Sequence, residues 1–233
     1  MTGARWPGLR PAWVEVDLEA IAANVRTLTA EVAPARLLAV VKADAYGHGA
    51  VPVARAAVEA GAAWLGVALV EEALELRRAG ISTPLLVLSE PHPAAADACA
   101  ADGIAVTLCT QAGVRAFGRA GRRAGRPVAA HLKVDTGMHR QGCAPAELPA
   151  LVTAALAEPG LEVDGLWSHF AVADEAAKSA TTDVQLVRFR DALAEAAAAG
   201  LTPRWRHLAN SAGACRAGSG CGWAGATCPR SVP

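Results

Sequence analysis

The amino-acid sequence predicts an α/β fold built as a (β/α)8-type barrel, incomplete because only seven strands are recognisable where closure needs eight. Two observations carry that expectation. Short continuous apolar runs alternate with Ala-rich stretches of helical period, which argues for parallel strands covered on both faces. Seven strand–helix units follow one another, which favours a barrel over an open doubly wound sheet. The 233 residues suit one large domain with room for a core.

Residues 17–32 read as the first helix, with Asp17 placed to cap it and Leu18, Ile21, Val25 and Leu28 on one face. The apolar run 37–41 (LLAVV) is the first strand, and a helix over 50–60 stops at Gly61. A strand at 63–68 (AWLGVA) leads to a helix at 70–79, with Gly80 as its C-cap. Strand 85–88 (LLVL), a helix near 94–101, strand 104–108 (IAVTL) and a helix at 111–124 continue the series. Arg115, Arg119, Arg122 and Arg123 of that last helix read as a solvated face rather than a binding patch. Strand 128–134 (VAAHLKV), a helix near 146–157, strand 161–167 (LEVDGLW), a helix at 178–199 and strand 204–208 (RWRHL) complete it.

The eighth unit should begin after Ala214. There the chain reads CRAGSGCGWAGATCPRSVP, with no Leu, Ile, Asp, Glu or Lys and with neither period 2 nor period 3.6. The expected division is an N-terminal extension at 1–12, a barrel domain at 13–214 and a disordered tail at 215–233, of the kind a truncated or out-of-frame gene end produces. Cys215, Cys221 and Cys228 in that tail form no CxxC pair, so no metal site is expected. Cys99, Cys109 and Cys143 read as small core residues.

Composition excludes several classes of function. The 22 basic and 22 acidic residues cancel, which leaves no counterion-release drive toward nucleic acid. An apolar content of 53% is incompatible with wholesale disorder. No apolar run approaches the ~20 residues of a membrane span. The opening MTGARWPGLRPAW has no apolar core and does not read as a secretion signal, so the expected location is cytoplasmic.

In a barrel, chemistry sits where the strands end, in the βα loops. After the first strand comes KADAYGHG (42–49). A lysine ending a buried strand either reaches solvent or serves as a Schiff-base amine, which partial desolvation makes nucleophilic. DTGMHRQG (135–142) places Arg140 in a Gly-bounded loop, suited to clamping a carboxylate or phenolate oxygen. Lys133 lies within the strand before it. His169, in Ser168-His169-Phe170, either stacks on a planar cofactor or is a satisfied structural histidine. Asn210 and Ser211, in ANSAGA, stand at a helix start, where Ser211 is an N-cap or an anion site. A lysine, an anion site, an arginine and a stacking ring together form the inventory of pyridoxal phosphate (PLP) binding.

The motifs AVVKADAYGHG, HLKVDTGMHRQG, WSHFAVADE and HLANSAGA, with the opening WVEVDLEAIAANV, resemble the alanine racemases from about residue 13 to about residue 214. The resemblance implies a PLP-dependent isomerase that interconverts L- and D-alanine through a PLP aldimine, supplying D-alanine for peptidoglycan. It implies an N-terminal barrel, a C-terminal β-domain and a homodimer. By that resemblance Lys42 would bind PLP and act at the α-carbon, and Tyr46 would bond the phosphate. Leu88 would line the pocket, and Arg140 would meet the phenolic oxygen and the substrate carboxylate. His169 would pack on the ring, with Asn210 and Ser211 completing the cofactor site. Lys133 matches a position carbamylated in some members. The family's second base is a tyrosine of the partner's C-terminal domain. Tyr46 is this chain's one tyrosine, so the chain is expected to be inactive alone. The alternative is a single-domain PLP-homeostasis protein, whose lysine motif does not resemble KADAYGHG.

Overall fold

A computed structural model describes residues 14–218. Its sheet has seven strands in sequence order, every neighbouring pair parallel: β1 (Leu38–Val40), β2 (Trp64–Val67), β3 (Leu85–Val87), β4 (Ala105–Leu108), β5 (Val128–Lys133), β6 (Leu161–Trp167) and β7 (Trp205–His207). Among the described residues β1 pairs only with β2, and β7 only with β6, so the sheet curls without closing. The helices outside it are α1 (Leu18–Val32), α3 (Ala50–Glu59), α4 (Val70–Arg78), α5 (Ala96–Asp102), α6 (Gln111–Ala124), α7 (Leu148–Leu156), α8 (Ser179–Ala198) and α9 (Ser211–Gly218). The short element α2 (Lys42–Gly47) is a turn of the opposite hand.

Local chemistry sets the helix ends. Asp17 Oδ1 accepts from the amides of Glu19 and Ala20 and starts α1 as expected. Thr110 Oγ1 does the same for α6 through Gly113 N. The helix at 70–78 is capped by Ala79 rather than Gly80, which follows with a φ of +79°. The helices expected near 94, 146 and 178 each begin with a 3-10 turn (Pro93–Ala95, Pro145–Glu147 and Ala176–Lys178). Among the described residues no helix is long and apolar enough to cross a membrane. The helix α9 extends to Gly218, so helical backbone enters the segment assigned to the tail at 215. Residues 1–13 and 219–233, with Cys221 and Cys228, lie outside the described residues.

Strand alternation sorts the side chains into two populations. One face of the sheet, with Leu65, Val67, Leu85, Val87, Val106 and Leu108, joins the main core beneath the helices. The other faces the barrel axis. There Trp64, Leu86, Ala105 and Trp205 form a separate apolar cluster near the strand starts. Two residues beyond Ala105 on β4 and beyond Ala129 on β5 the same face turns polar, with Thr107, His131 and then Lys133 all buried. The register pairs Thr107 with His131, and Lys133 with Trp167. Gly165 makes this layer fit, because any Cβ there would collide with the His131 ring. Outside, Val32, Ala35 and Ala214 pack together, which draws α9 against the end of α1.

Candidate active site

Period 2 along β1 carries Leu38 and Val40 to the axial face and delivers Lys42 to the rim. The chain then does something alternation cannot announce. Ala43, Asp44, Ala45 and Tyr46 all hold φ between +50° and +56°, one turn of left-handed helix made without glycine. Such a conformation costs about 1–2 kcal/mol per residue, so neighbours must hold it. Glu72 is the principal holder. Its Oε1 accepts from Ala43 N at 2.6 Å, while Oε2 accepts from Ala68 N at 2.7 Å and Leu69 N at 3.0 Å. Asp44 Oδ1 accepts from Ala50 N at 2.6 Å and ties the turn to α3. The result puts the Tyr46 ring, 61% exposed, with its centroid 5.8 Å from Lys42 Nζ.

At the end of β5 the Lys133 side chain is buried, and its ammonium lies 3.9 Å from the centroid of the Trp167 ring. Burial, then the charge of Arg140, pull its pKa down to about 8. The following loop folds back on itself, since Cys143 N donates to Lys133 O and Asp135 N to Cys143 O, both at 2.9 Å. Inside it Asp135 Oδ1 accepts from Gly137 N, Met138 N and His139 N at 2.8, 3.0 and 3.1 Å. Burial alone would raise the Asp135 pKa, but those three amides outweigh it and lower the value. This carboxylate shapes the loop that presents Arg140.

Three histidines complete the layer. His131 Nδ1 lies 2.9 Å from His207 Nε2, and His207 stacks on Trp167 with centroids 5.0 Å apart. Burial holds both imidazoles well below the ordinary range. His131 Nε2 is buried without a partner. An unpaired acceptor is tolerated better than an unpaired donor, so the favoured tautomer has His131 Nδ1–H donating to His207 Nε2. His169 is pulled down to about 4 by burial, then by Lys133, Arg140 and Lys42, and is therefore a neutral ring among cations.

The eight residues singled out by sequence meet around one cavity of about 520 Å³: Lys42, Tyr46, Leu88, Lys133, Arg140, His169, Asn210 and Ser211 all line it. Leu88 stands just past β3, which ends at Val87. At α9 the cap is Asn210, whose Oδ1 accepts from Gly213 N at 2.9 Å, and Ser211 is the first helical residue. Sequence reading passed over Trp167, His131, His207 and Glu72. The two histidines were signalled by alternation, since Ala129, His131 and Lys133 share one strand face, as do Trp205 and His207. No sequence signal marks Glu72, whose role arises from a contact 29 residues away.

Among the described residues the lining contains three cations, Lys42, Lys133 and Arg140, and no carboxylate. Trp167 adds a buried indole N–H without a partner. A helix N-terminus at Ser211 brings further positive potential. This donor set fits an anionic, planar ligand that carries a phosphate and an aldehyde, and it fits a carboxylate beside it.

Comparison with known proteins agrees with that chemistry. The family profile described as "Alanine racemase, N-terminal domain" matches residues 16–224. The alanine racemase of Symbiobacterium thermophilum is 52% identical over 206 residues, covering 88% of this chain and 54% of that protein. That of Frankia casuarinae is 49% identical over 203 residues, covering 84% and 52%. Among solved structures, alanine racemase from D-cycloserine-producing Streptomyces lavendulae superposes with a TM-score of 0.80 at 46% identity, covering 85% of this chain and 53% of that one. Alanine racemase from Bacillus anthracis with bound L-Ala-P gives 0.81 at 38% identity, covering 89% and 54%. The chain spans about half the length of the curated relatives it matches. With the profile covering most of its length and identities near one half, this chain belongs to the alanine racemase N-terminal domain family.

Proposed function

We propose that this chain provides the cofactor-holding half of a PLP-dependent alanine racemase. The observation that carries the reading is the cavity lining, which among the described residues has three cations and no carboxylate around a neutral imidazole. Lys42 is the residue to hold the cofactor covalently, because it is a half-buried primary amine at the rim. Tyr46, Ser211 and the α9 amides would receive the phosphate, with Asn210 keeping that helix end in place. His169 would lie against the ring and Leu88 would wall it. When bound, PLP supplies an electron sink that makes an α C–H acidic.

The protein's own groups then do the rest. Lys42 Nζ takes or returns the proton on its side of the α-carbon. Arg140 orients the substrate carboxylate and the phenolic oxygen. Lys133 with a pKa of about 8 keeps an appreciable neutral fraction at physiological pH, which suits it to carbamylation; a carbamate would meet the charge of Arg140. Racemisation needs a second proton-carrying group on the opposite face. By the resemblance to the alanine racemases that group would be a tyrosine of the partner in a homodimer; Tyr46, this chain's one tyrosine, is assigned to the phosphate. Alanine as the substrate, the dimer and a cytoplasmic location belong to the same proposal.

Titration of the chain with PLP, followed by visible absorbance, tests the reading. A lysine-bound band that disappears in Lys42→Ala supports it, and a band unchanged in that variant sinks it. In an L- to D-alanine exchange assay the isolated chain should show at most slow turnover. Fast turnover would place the second proton-carrying group within these 233 residues.

A further inference from the structure

We infer that Gln185 is the positioning residue for His169, holding the cofactor-facing loop after β6 in register with the loop after β5. The inference rests on the PLP reading of the cavity above. Gln185 lies on α8, outside the cavity lining, yet its side chain is almost fully buried, with 1% exposure. A polar side chain so placed must be fully bonded to be tolerated. Its Oε1 accepts from Ala171 N at 2.9 Å, and its Nε2 donates to His169 O at 2.9 Å and to Thr136 Oγ1 at 3.3 Å.

The orientation of this amide is fixed by its partners, because the Ala171 N–H can only donate and the His169 carbonyl can only accept. The pair of bonds therefore grips the backbone on both sides of Phe170 and fixes the peptide that carries the His169 ring. The third bond reaches the other loop. Thr136 Oγ1 accepts from Gln185 and lies 2.8 Å from Ser168 Oγ, so its own hydrogen is available to that oxygen. Arg188, one turn along α8, donates to Thr136 O at 3.1 Å. One helix thus joins the loop presenting His169 to the loop presenting Arg140, and no other amide side chain among the described residues has these bonds.

Two readouts test this on the full chain. The first is PLP affinity, with the visible spectrum of the lysine-bound cofactor. Gln185→Leu should keep a lysine-dependent band but weaken PLP by about tenfold, the effect of losing buried bonds that order a ligand-facing group. The second is hydrogen exchange at the Ala171 amide, which should lose protection in Gln185→Leu while α8 amides stay protected. In its ionised form, at alkaline pH, Gln185→Glu retains an acceptor for Ala171 N but no donor for His169 O. It should keep Ala171 protection and still bind PLP more weakly, and it serves where the leucine variant does not fold. Wild-type PLP affinity and spectrum in a folded Gln185 variant would overturn the positioning role. Should wild type show no lysine-dependent band, the PLP reading fails; unchanged Ala171 exchange in Gln185→Leu overturns the clamp independently.

Discussion

The ammonium of Lys133 sits 3.9 Å from the centroid of the Trp167 ring, across the one register position that pairs β5 with β6 at their ends. No salt bridge to Lys133 occurs among the described residues, so the ring's negative face is the main compensation for its burial. The consequence for stability has a definite sign. The folded pKa is about 8 against an ordinary 10.5. Between those values the unfolded chain binds more protons, so stability rises with pH across that window and the full penalty applies below it. Lys133→Met should therefore stabilise the apo chain near pH 7 by about 1–2 kcal/mol, a gain that shrinks as pH rises past about 8 and vanishes beyond about 10.5. Urea unfolding at several pH values measures it; a gain independent of pH would show that charge burial is not the cause.

The left-handed turn after Lys42 predicts opposite effects from two small substitutions. Ala43 is exposed, with a φ of +52°. Glycine adopts that conformation without penalty, so Ala43→Gly should raise stability by up to about 1 kcal/mol, with part of the gain lost to the freer unfolded chain. Ala43→Val should lower it by about 1–2 kcal/mol, because a β-branched side chain is worst tolerated there. Thermal unfolding distinguishes them, and equal effects from both would mean the turn is not strained. PLP affinity should fall with the valine variant, since the turn directs both Lys42 and Tyr46.

Asp135 offers a test of how the Arg140 loop is built. Its folded pKa is lowered, so its contribution to stability is present above the unfolded value of 3.8 and is lost as pH falls through the folded one. Asp135→Asn keeps an acceptor for the three amides but removes the charge that strengthens those bonds. A loss of about 1 kcal/mol near neutral pH is expected, with a flatter stability profile below about pH 4. Proteolysis between 135 and 142 should speed up in the variant; an unchanged cleavage rate would separate loop order from this carboxylate.

How far these features could be read from sequence depends on the range of the interactions behind them. The seven strands and their parallel order follow from apolar runs and helical spacing, which are local. The convergence of Lys42 with Ser211 was legible because a barrel brings all strand ends to one face, whatever the details between them. The left-handed hand of Ala43–Tyr46 was not, because nothing in KADAYGHG favours positive φ at alanine. It is imposed by Glu72, a residue of the next strand–helix unit. Gln185 escaped for a similar reason. On an Ala-rich helix a glutamine carries no mark of burial until the loops it bonds are in place. The cap of α9 expected at Ser211 falls one residue earlier, because Asn210 Oδ1 is the acceptor that reaches Gly213 N.

The buried imidazole pair should set the acid sensitivity of the whole domain. His131 and His207 are held neutral by burial, with folded pKa values below the ordinary 6.5. As pH falls from about 6.5 the unfolded chain gains protons that the folded one refuses, so stability is lost at up to about 1.4 kcal/mol per pH unit for each such group. His169, at about 4, adds to the same slope. Replacing His131 with leucine removes one of these groups but leaves His207 Nε2 without its donor. The variant should be less stable at pH 7 by about 1–3 kcal/mol, yet lose stability less steeply between about pH 6.5 and 5. Gly165 was sized for the imidazole ring, so the leucine must also fit against it. Parallel urea titrations at the two ends of that pH range give the difference in slope. A variant whose slope matches wild type would show that His131 is protonated in the native fold, and that the hydrogen shared with His207 is not its only one.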